Sequence, residues 1–256
     1  MSHRTPTILE EARTRFREVA ETHRLLDTQV AVSARALTPE EAIGTPGRRD
    51  FPIAVGKERV IEAEFLGARG HAFTDSPGDF TGSLEEVLSL ELTTSRARAV
   101  FVATLNAVLR HLEMARATVH CRDDDPESCA TEIAEVLLER HGKVQVGLIG
   151  LNPAIAERLV ERFGPTRVRI CDLDAENIGK SRFGVEVWDG NQRTDDLIAG
   201  SDVVLVTGTT LVNGSFDRIR EGIRRQGKDY LLYGVTAAGI SELLGLERIC
   251  PHGRVG

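Results

Sequence analysis

The chain has 256 residues, 41% of them hydrophobic and 28% charged, and a formal net charge of −7. That length can bury a full core in one large domain or two small ones. The acidic balance argues against nucleic acid or an anionic membrane surface as main partner.

No apolar run approaches the roughly 20 residues of a membrane span, and no signal-peptide pattern opens the sequence. Cys121, Cys129, Cys171 and Cys250 form no CxxC pair, so reduced thiols in a cytoplasmic protein are expected. Residues 7–26 place Ile8, Leu9, Ala12, Phe16, Val19 and Leu26 at near-helical spacing, which predicts an amphipathic helix. The alternation over 29–34 predicts a strand. Thr45-Pro46-Gly47 is turn material, and strands are expected over 60–65 and 69–74. Ser83, with Glu86 three residues on, makes a capping box for a short helix running to Leu90. The next helix, about 94–112, is apolar on most sides around Phe101, Leu105 and Leu109, which predicts burial. Asn106 within it must then find polar partners.

From residue 143 the pattern changes. Short apolar runs over 144–149, 168–171, 185–188, 203–206 and 230–233 read as strands, and 153–163 and 215–226 have helical periodicity. Strands alternating with helices predict an α/β fold with a doubly wound parallel sheet. Right-handed crossovers give it the strand order 3-2-1-4-5. The chain therefore reads as two domains, 1–141 and 142–256, meeting at His141-Gly142-Lys143.

In such a sheet, ligands bind beyond the C-terminal strand ends, at the switch point between strands 1 and 4. Strand 1 leads into Gly150-Leu151-Asn152-Pro153, where Asn152 can cap a helix and Gly150 permits close approach. Only Gly147 and Gly150 are present, so this is no GxGxxG turn, and no P-loop motif occurs. Strand 2 ends in Asp172 and Asp174, where a ribose diol is gripped by a carboxylate that accepts both hydroxyl protons. Trp188 and Asp189 after strand 3 can offer a ring face and an acceptor for the adenine amino group. Strand 4 opens into Thr207, Gly208, Thr209, Thr210 and Asn213, and strand 5 into Gly234 and Thr236. Five polar or glycine-rich strand ends point to a nucleoside-like ligand. With a poor diphosphate loop and no cation for a 2′-phosphate, S-adenosylmethionine fits better than NAD or NADP.

The stretch VTGTTLVNGS and the following LLYGVTAAGISELLGLERICPHG, together with ATLNAVL at 103–109 and KVQVGLIG, resemble the putative heavy-metal-chelation family. The resemblance implies a smaller α+β domain shaped like the N-terminal domain of enolase, followed by a Rossmann-like domain. It also implies a metal reading, for which the candidates are His120, Cys121 and Cys129. Thiolate and imidazole suit a soft metal, but the spacing matches no zinc module, and an interdomain loop with a solvated acidic run is the plainer account. Cys250-Pro251-His252 reads as a C-terminal tail or a further ligand pair. In the first domain, Lys57, Glu58, Glu62, Glu64, Arg69, His71, Thr74 and Asp75 are the polar groups near the strands. If a cleft forms between the domains, Lys57, His71 and Asn106 are the catalytic candidates. The cluster Arg218, Arg220, Arg224, Arg225 and Lys228 reads as the solvated face of a helix.

Two functions follow. The first is an enzyme that breaks a carbon–sulfur bond of S-adenosylmethionine, by alkyl transfer or by ring closure to a product such as 1-aminocyclopropane-1-carboxylate with loss of methylthioadenosine. The second is a non-catalytic heavy-metal-binding protein, with metal binding releasing protons. An NAD-linked oxidoreductase is disfavoured by the missing glycines. Partners are expected to be a small-molecule substrate, with neither nucleic acid nor membrane, and a homo-oligomer is compatible with the sequence.

Overall fold

The antiparallel half begins with an alternating strand pair whose register is set by which face is buried. In the computed structural model, residues 7–33, 41, 44, 45, 47, 48, 50, 51 and 58–256 are described. Strands β1 (Gln29–Ser33), β2 (Arg59–Phe65), β3 (Ala68–Thr74) and β4 (Phe80–Ser83) form a four-stranded antiparallel sheet in the order β3-β2-β1-β4. Ser83 and Glu86 form the expected capping box, and the helix they start is Leu84–Leu88, two residues shorter at its end than the sequence suggests. The opening helix, capped by Thr7, is Ile8–Thr22.

Helix Ser95–His111 is the hub. Every residue from Ala99 to Leu109 is buried, as the all-round apolar pattern requires. One side packs on β2 and β3, the other on helices Thr209–Asn213 and Ala238–Leu244. The approach to β3 is close enough to demand glycine at position 70, where a β-carbon would lie 2.3 Å from the Ala107 nitrogen.

The second sheet has seven strands: β5 (Val146–Ile149), β6 (Val168–Asp172), β7 (Ser181–Arg182), β8 (Val185–Asp189), β9 (Val203–Thr207), β10 (Asp229–Tyr233) and β11 (Arg248–Ile249), in the order β11-β10-β9-β5-β6-β8-β7. All neighbours are parallel except the β7–β8 pair. Its five principal strands reproduce the expected 3-2-1-4-5 order, with the switch point between β5 and β9. Both faces are covered, so its strands read as unbroken apolar runs. In β9, Val204 and Val206 join the core shared with Phe16, Phe65 and Phe101, whereas Val203 and Leu205 join the core around Leu137, Leu159 and Phe163.

Helix Asp125–His141 is the main element the sequence reading did not foresee, since residues 120–129 read as a loop. Pro126 occupies its first turn, where a missing N–H is harmless. Ala130, Ile133, Ala134 and Leu137 turn inward against helix Pro153–Phe163. No helix among the described residues is long and apolar enough to cross a membrane.

Candidate functional site

A cleft of about 620 Å3 opens at the C-terminal ends of β5, β6, β9 and β10 and is closed on its far side by the end of β3. Asp172 anchors it. The Leu151 N–H donates to Asp172 Oδ2 at 2.6 Å and the Asp174 N–H to Oδ1 at 2.7 Å, while each oxygen keeps a second lone pair for a ligand. Gly150 adopts φ +86°, and a β-carbon there would lie 2.5 Å from Thr207 Cγ2. The Tyr233 hydroxyl donates to the Gly150 carbonyl at 2.7 Å, tying the ends of β10 and β5 together. Asn152 caps helix Pro153–Phe163 by accepting from the Ile155 N–H.

The hydroxyl cluster after β9 divides its labour. Thr210 donates to the Thr207 carbonyl at 2.7 Å, while the Thr207 and Thr209 hydroxyls pair with each other at 3.1 Å on the cleft floor. Thr236 Oγ1 accepts from the Phe73 N–H at 3.1 Å, which joins the antiparallel sheet to the turn after β10.

Of the residues expected to bind a nucleoside, Gly150, Asn152, Asp172, Asp174, Thr207, Gly208, Thr209, Thr210, Asn213, Gly234 and Thr236 all line this one cleft. Asp189 is outside the lining; it accepts from the Asn191 N–H as the N-cap of helix Gly190–Ala199. The Trp188 ring face is already covered by Arg193, 3.7 Å from its centroid.

The three catalytic candidates fare differently. Lys57 lies outside the described residues. His71 and Asn106 are buried and do not line the cleft. Glu62 and His71 are cross-strand partners, with Nε2 2.8 Å from Glu62 Oε2, and His71 Nδ1 accepts from the His120 N–H. That pairing assigns the ring proton to Nε2. The Asn106 amide is spent on backbone groups, donating to His71 and Val235 and accepting from Gly239.

Two cleft residues escaped the sequence reading as site residues. Glu58, just ahead of β2, enters the cleft beside Asp172 and Asp75. Burial, with the repulsion of those two carboxylates added, pushes its carboxyl up to about 7. Arg218 corrects the reading of its cluster as a solvated face. It lines the cleft and donates to the carbonyls of Gly190 and Asn191 at 3.0 and 3.4 Å, whereas Arg224 and Arg225 pair with Glu221 and Asp195 at the surface. Arg218 belongs to the first turn of helix Phe216–Gln226, the end that adjoins the cleft.

The raised Glu58 carboxyl has a measurable consequence. Its folded pKa lies above the ordinary value of 4.5, so the native state holds the proton more tightly, and stability falls as pH rises between about 4.5 and 7. Glu58→Gln should remove that part of the slope. In urea titrations at about pH 5 and about pH 8, the variant should lose on the order of 2 kcal/mol less than wild type across the interval. Parallel slopes would show that Glu58 ionises normally.

Of the metal candidates, His120 lines the cleft edge-on to Phe73, and burial lowers its imidazole to about 4. Its Nε2 is 4.0 Å from the sulfur of the buried Cys121. Cys129 is half-buried on helix Asp125–His141. Among the described residues, no group of three or more His, Cys, Asp or Glu side chains is arranged to hold a metal ion.

Fold and cleft together define a class: an α/β protein with a Rossmann-like sheet, a polar cleft at its switch point, and an antiparallel sheet beside that cleft. Within that class, residues 132–246 match the model of the DUF364 family, described as "Putative heavy-metal chelation". A DUF364-family protein of unknown function from Pyrococcus horikoshii shares the fold at a TM-score of 0.56 and 15% identity, over 90% of this chain and 80% of its own. A second, from Desulfitobacterium hafniense and also of unknown function, gives a TM-score of 0.48 and 13% identity, over 76% and 73% of the two chains. The comparison with curated proteins found no match.

Proposed function

We propose that the cleft binds S-adenosylmethionine and that the protein is an enzyme which breaks one of its carbon–sulfur bonds. The observation that carries this reading is the sign of the charge in the cleft. Glu58, Asp75, Asp172, Asp174 and Glu176 line it, against the single cation Arg218 among the described lining residues. Such a lining attracts a sulfonium and an ammonium and repels the diphosphate of a dinucleotide. Asp172 stands where the ribose diol is gripped, and Arg218 is the group available to the ligand's carboxylate.

In the reaction, a nucleophile attacks a carbon attached to the sulfonium. The carbon–sulfur electron pair moves to sulfur, and a neutral thioether leaves. The nucleophile is an acceptor molecule in alkyl transfer, or the ligand's own amine or α-carbon in ring closure, which releases methylthioadenosine. Its proton goes to Glu58, whose carboxyl at about 7 is suited to accept one near neutral pH. A reducing, cytoplasmic setting suits the four unpaired cysteines.

The test is calorimetric titration of metal-stripped protein with S-adenosylmethionine, methylthioadenosine, NAD and zinc or copper, followed by mass spectrometry of each mixture. Saturable binding of both adenosyl ligands, absent for NAD, and the appearance of a thioether product are expected. Tight metal binding without any adenosyl binding would replace this reading with the heavy-metal one that the family description suggests.

A further inference from the structure

Phe51 lines the cleft but belongs to no helix or strand, so its place on the wall depends on what tethers the chain beside it. The tether is Arg48. Its Nε donates to Glu127 Oε1 at 2.6 Å and its Nη2 to Glu157 Oε2, while its Nη1 is 3.3 Å from both carboxylate oxygens of Asp50. Glu127 is on helix Asp125–His141 and Glu157 on helix Pro153–Phe163. The guanidinium also stands 5.8 Å from the centroid of the Phe183 ring, within cation–π range. One half-buried cation thus meets three carboxylates and a ring face. Further back along the chain, the Thr45 N–H donates to Asp123 Oδ1 at 3.0 Å. Phe51 itself is 5% exposed and joins the core around Leu137, Leu159 and Phe163.

The two helices are already bridged without Arg48. Arg158 reaches from helix Pro153–Phe163 to Glu127, and Arg162 reaches to Glu135. What Arg48 adds is an anchor for the chain three residues ahead of Phe51.

We propose that Arg48 is a positioning residue of the cleft: its ion pairs fix Phe51 against the ligand site, so that a charge outside the lining governs ligand affinity. This rests on the reading of the cleft as an adenosyl site and extends it to a residue that has no place in the lining.

The contact with the ligand is made by the Phe51 ring, which is apolar and carries no charge. Loss of its position therefore weakens the neutral methylthioadenosine and the cationic S-adenosylmethionine alike. A long-range effect of the Arg48 charge has another signature. Removing a cation near an acidic cleft strengthens the field that attracts S-adenosylmethionine and leaves methylthioadenosine untouched. For the charged ligand the two accounts differ in sign.

The test is a double-mutant cycle on the full chain with Arg48→Met, which keeps an apolar stem, and Phe51→Leu. Each protein is titrated calorimetrically with both ligands. Arg48→Met is expected to weaken both by about tenfold, the order expected when a side chain must be ordered on binding, and Arg48→Lys to recover part of the loss. The double variant should bind no more weakly than the weaker single one, because the two changes break one chain of contacts. Glu157→Gln loosens the same tether from helix Pro153–Phe163 and should also weaken both ligands. Additive losses in the cycle, unchanged affinity in Arg48→Met, or tighter binding of S-adenosylmethionine by that variant would overturn the assignment. Urea midpoints of the same variants without ligand separate this inference from the reading beneath it. If the wild-type protein bound neither ligand, the adenosyl reading would fail. Stability losses that are less than additive would then still support the tether, and additive ones would overturn it.

Discussion

Asp172→Ala is expected to weaken binding of S-adenosylmethionine by at least about a hundredfold, because each charge-assisted hydrogen bond to a ligand hydroxyl contributes about 1.5–3 kcal/mol. The loss has two sources. A ribose diol would forfeit its acceptor, and the Leu151 and Asp174 N–H groups, now held at 2.6 and 2.7 Å, would be released. Those two groups belong to the turns after β5 and β6, so the cleft would lose its shape along with its charge. Asp172→Asn separates the two effects. Its amide oxygen can still accept from one N–H, so the turns are partly retained while the charge is gone, and the expected loss is intermediate. Calorimetric titration of the three proteins with S-adenosylmethionine and with methylthioadenosine reads this directly. Wild-type affinity in Asp172→Ala would sink the ribose assignment.

The largest effect on stability is expected at Asn106. Its amide donates to the His71 carbonyl at 2.9 Å and the Val235 carbonyl at 3.2 Å and accepts from the Gly239 N–H at 2.7 Å. His71 is on β3 of the antiparallel sheet, whereas Val235 and Gly239 follow β10 of the parallel one. One fully buried side chain therefore satisfies backbone groups from both halves of the molecule. Asn106→Leu keeps a similar volume but leaves those groups unpaired in a dry core, and a loss of roughly 3–5 kcal/mol is expected. Asn106→Asp should also destabilise, since an oxygen would replace the donor facing the two carbonyls. Urea denaturation midpoints at a common slope measure both. A change below about 1 kcal/mol for Asn106→Leu would mean that water or rearrangement re-satisfies the site.

The parallel sheet was legible because its information is local and periodic. Runs such as Val203–Val206 have no polar face to hide, and right-handed crossovers leave few ways to order them. The cleft followed, since its floor is made of strand ends whose position the topology dictates. Asn106 could be read as needing partners, but not which ones, because His71 and Gly239 reach it only through folding. Glu58 and Arg218 were missed as site residues for the same reason. Nothing next to Glu58 in the chain marks it as a neighbour of Asp172, and Arg218 sits in a run of arginines from which only its first-turn position separates it. Helix Asp125–His141 did carry its apolar stripe in Ala130, Ile133, Ala134 and Leu137, but an acidic run and a proline at its start resemble a loop. The ion pairs of His252 with Glu132 and Arg254 with Asp125 were illegible, because the partners are more than a hundred residues apart.

The seven-stranded sheet ends at both margins in a strand of only two residues, Ser181–Arg182 on one side and Arg248–Ile249 on the other. An open sheet margin is a template on which a second molecule can add a strand, and long apolar margins are where fibrils nucleate. Here each margin offers little ladder, and each carries an arginine whose desolvation would oppose such docking. The antiparallel pairing of β7 also turns the chain against the direction of the sheet, so a neighbour could not simply continue the parallel array. The apolar strands beneath the cleft are thereby shielded from self-templating growth.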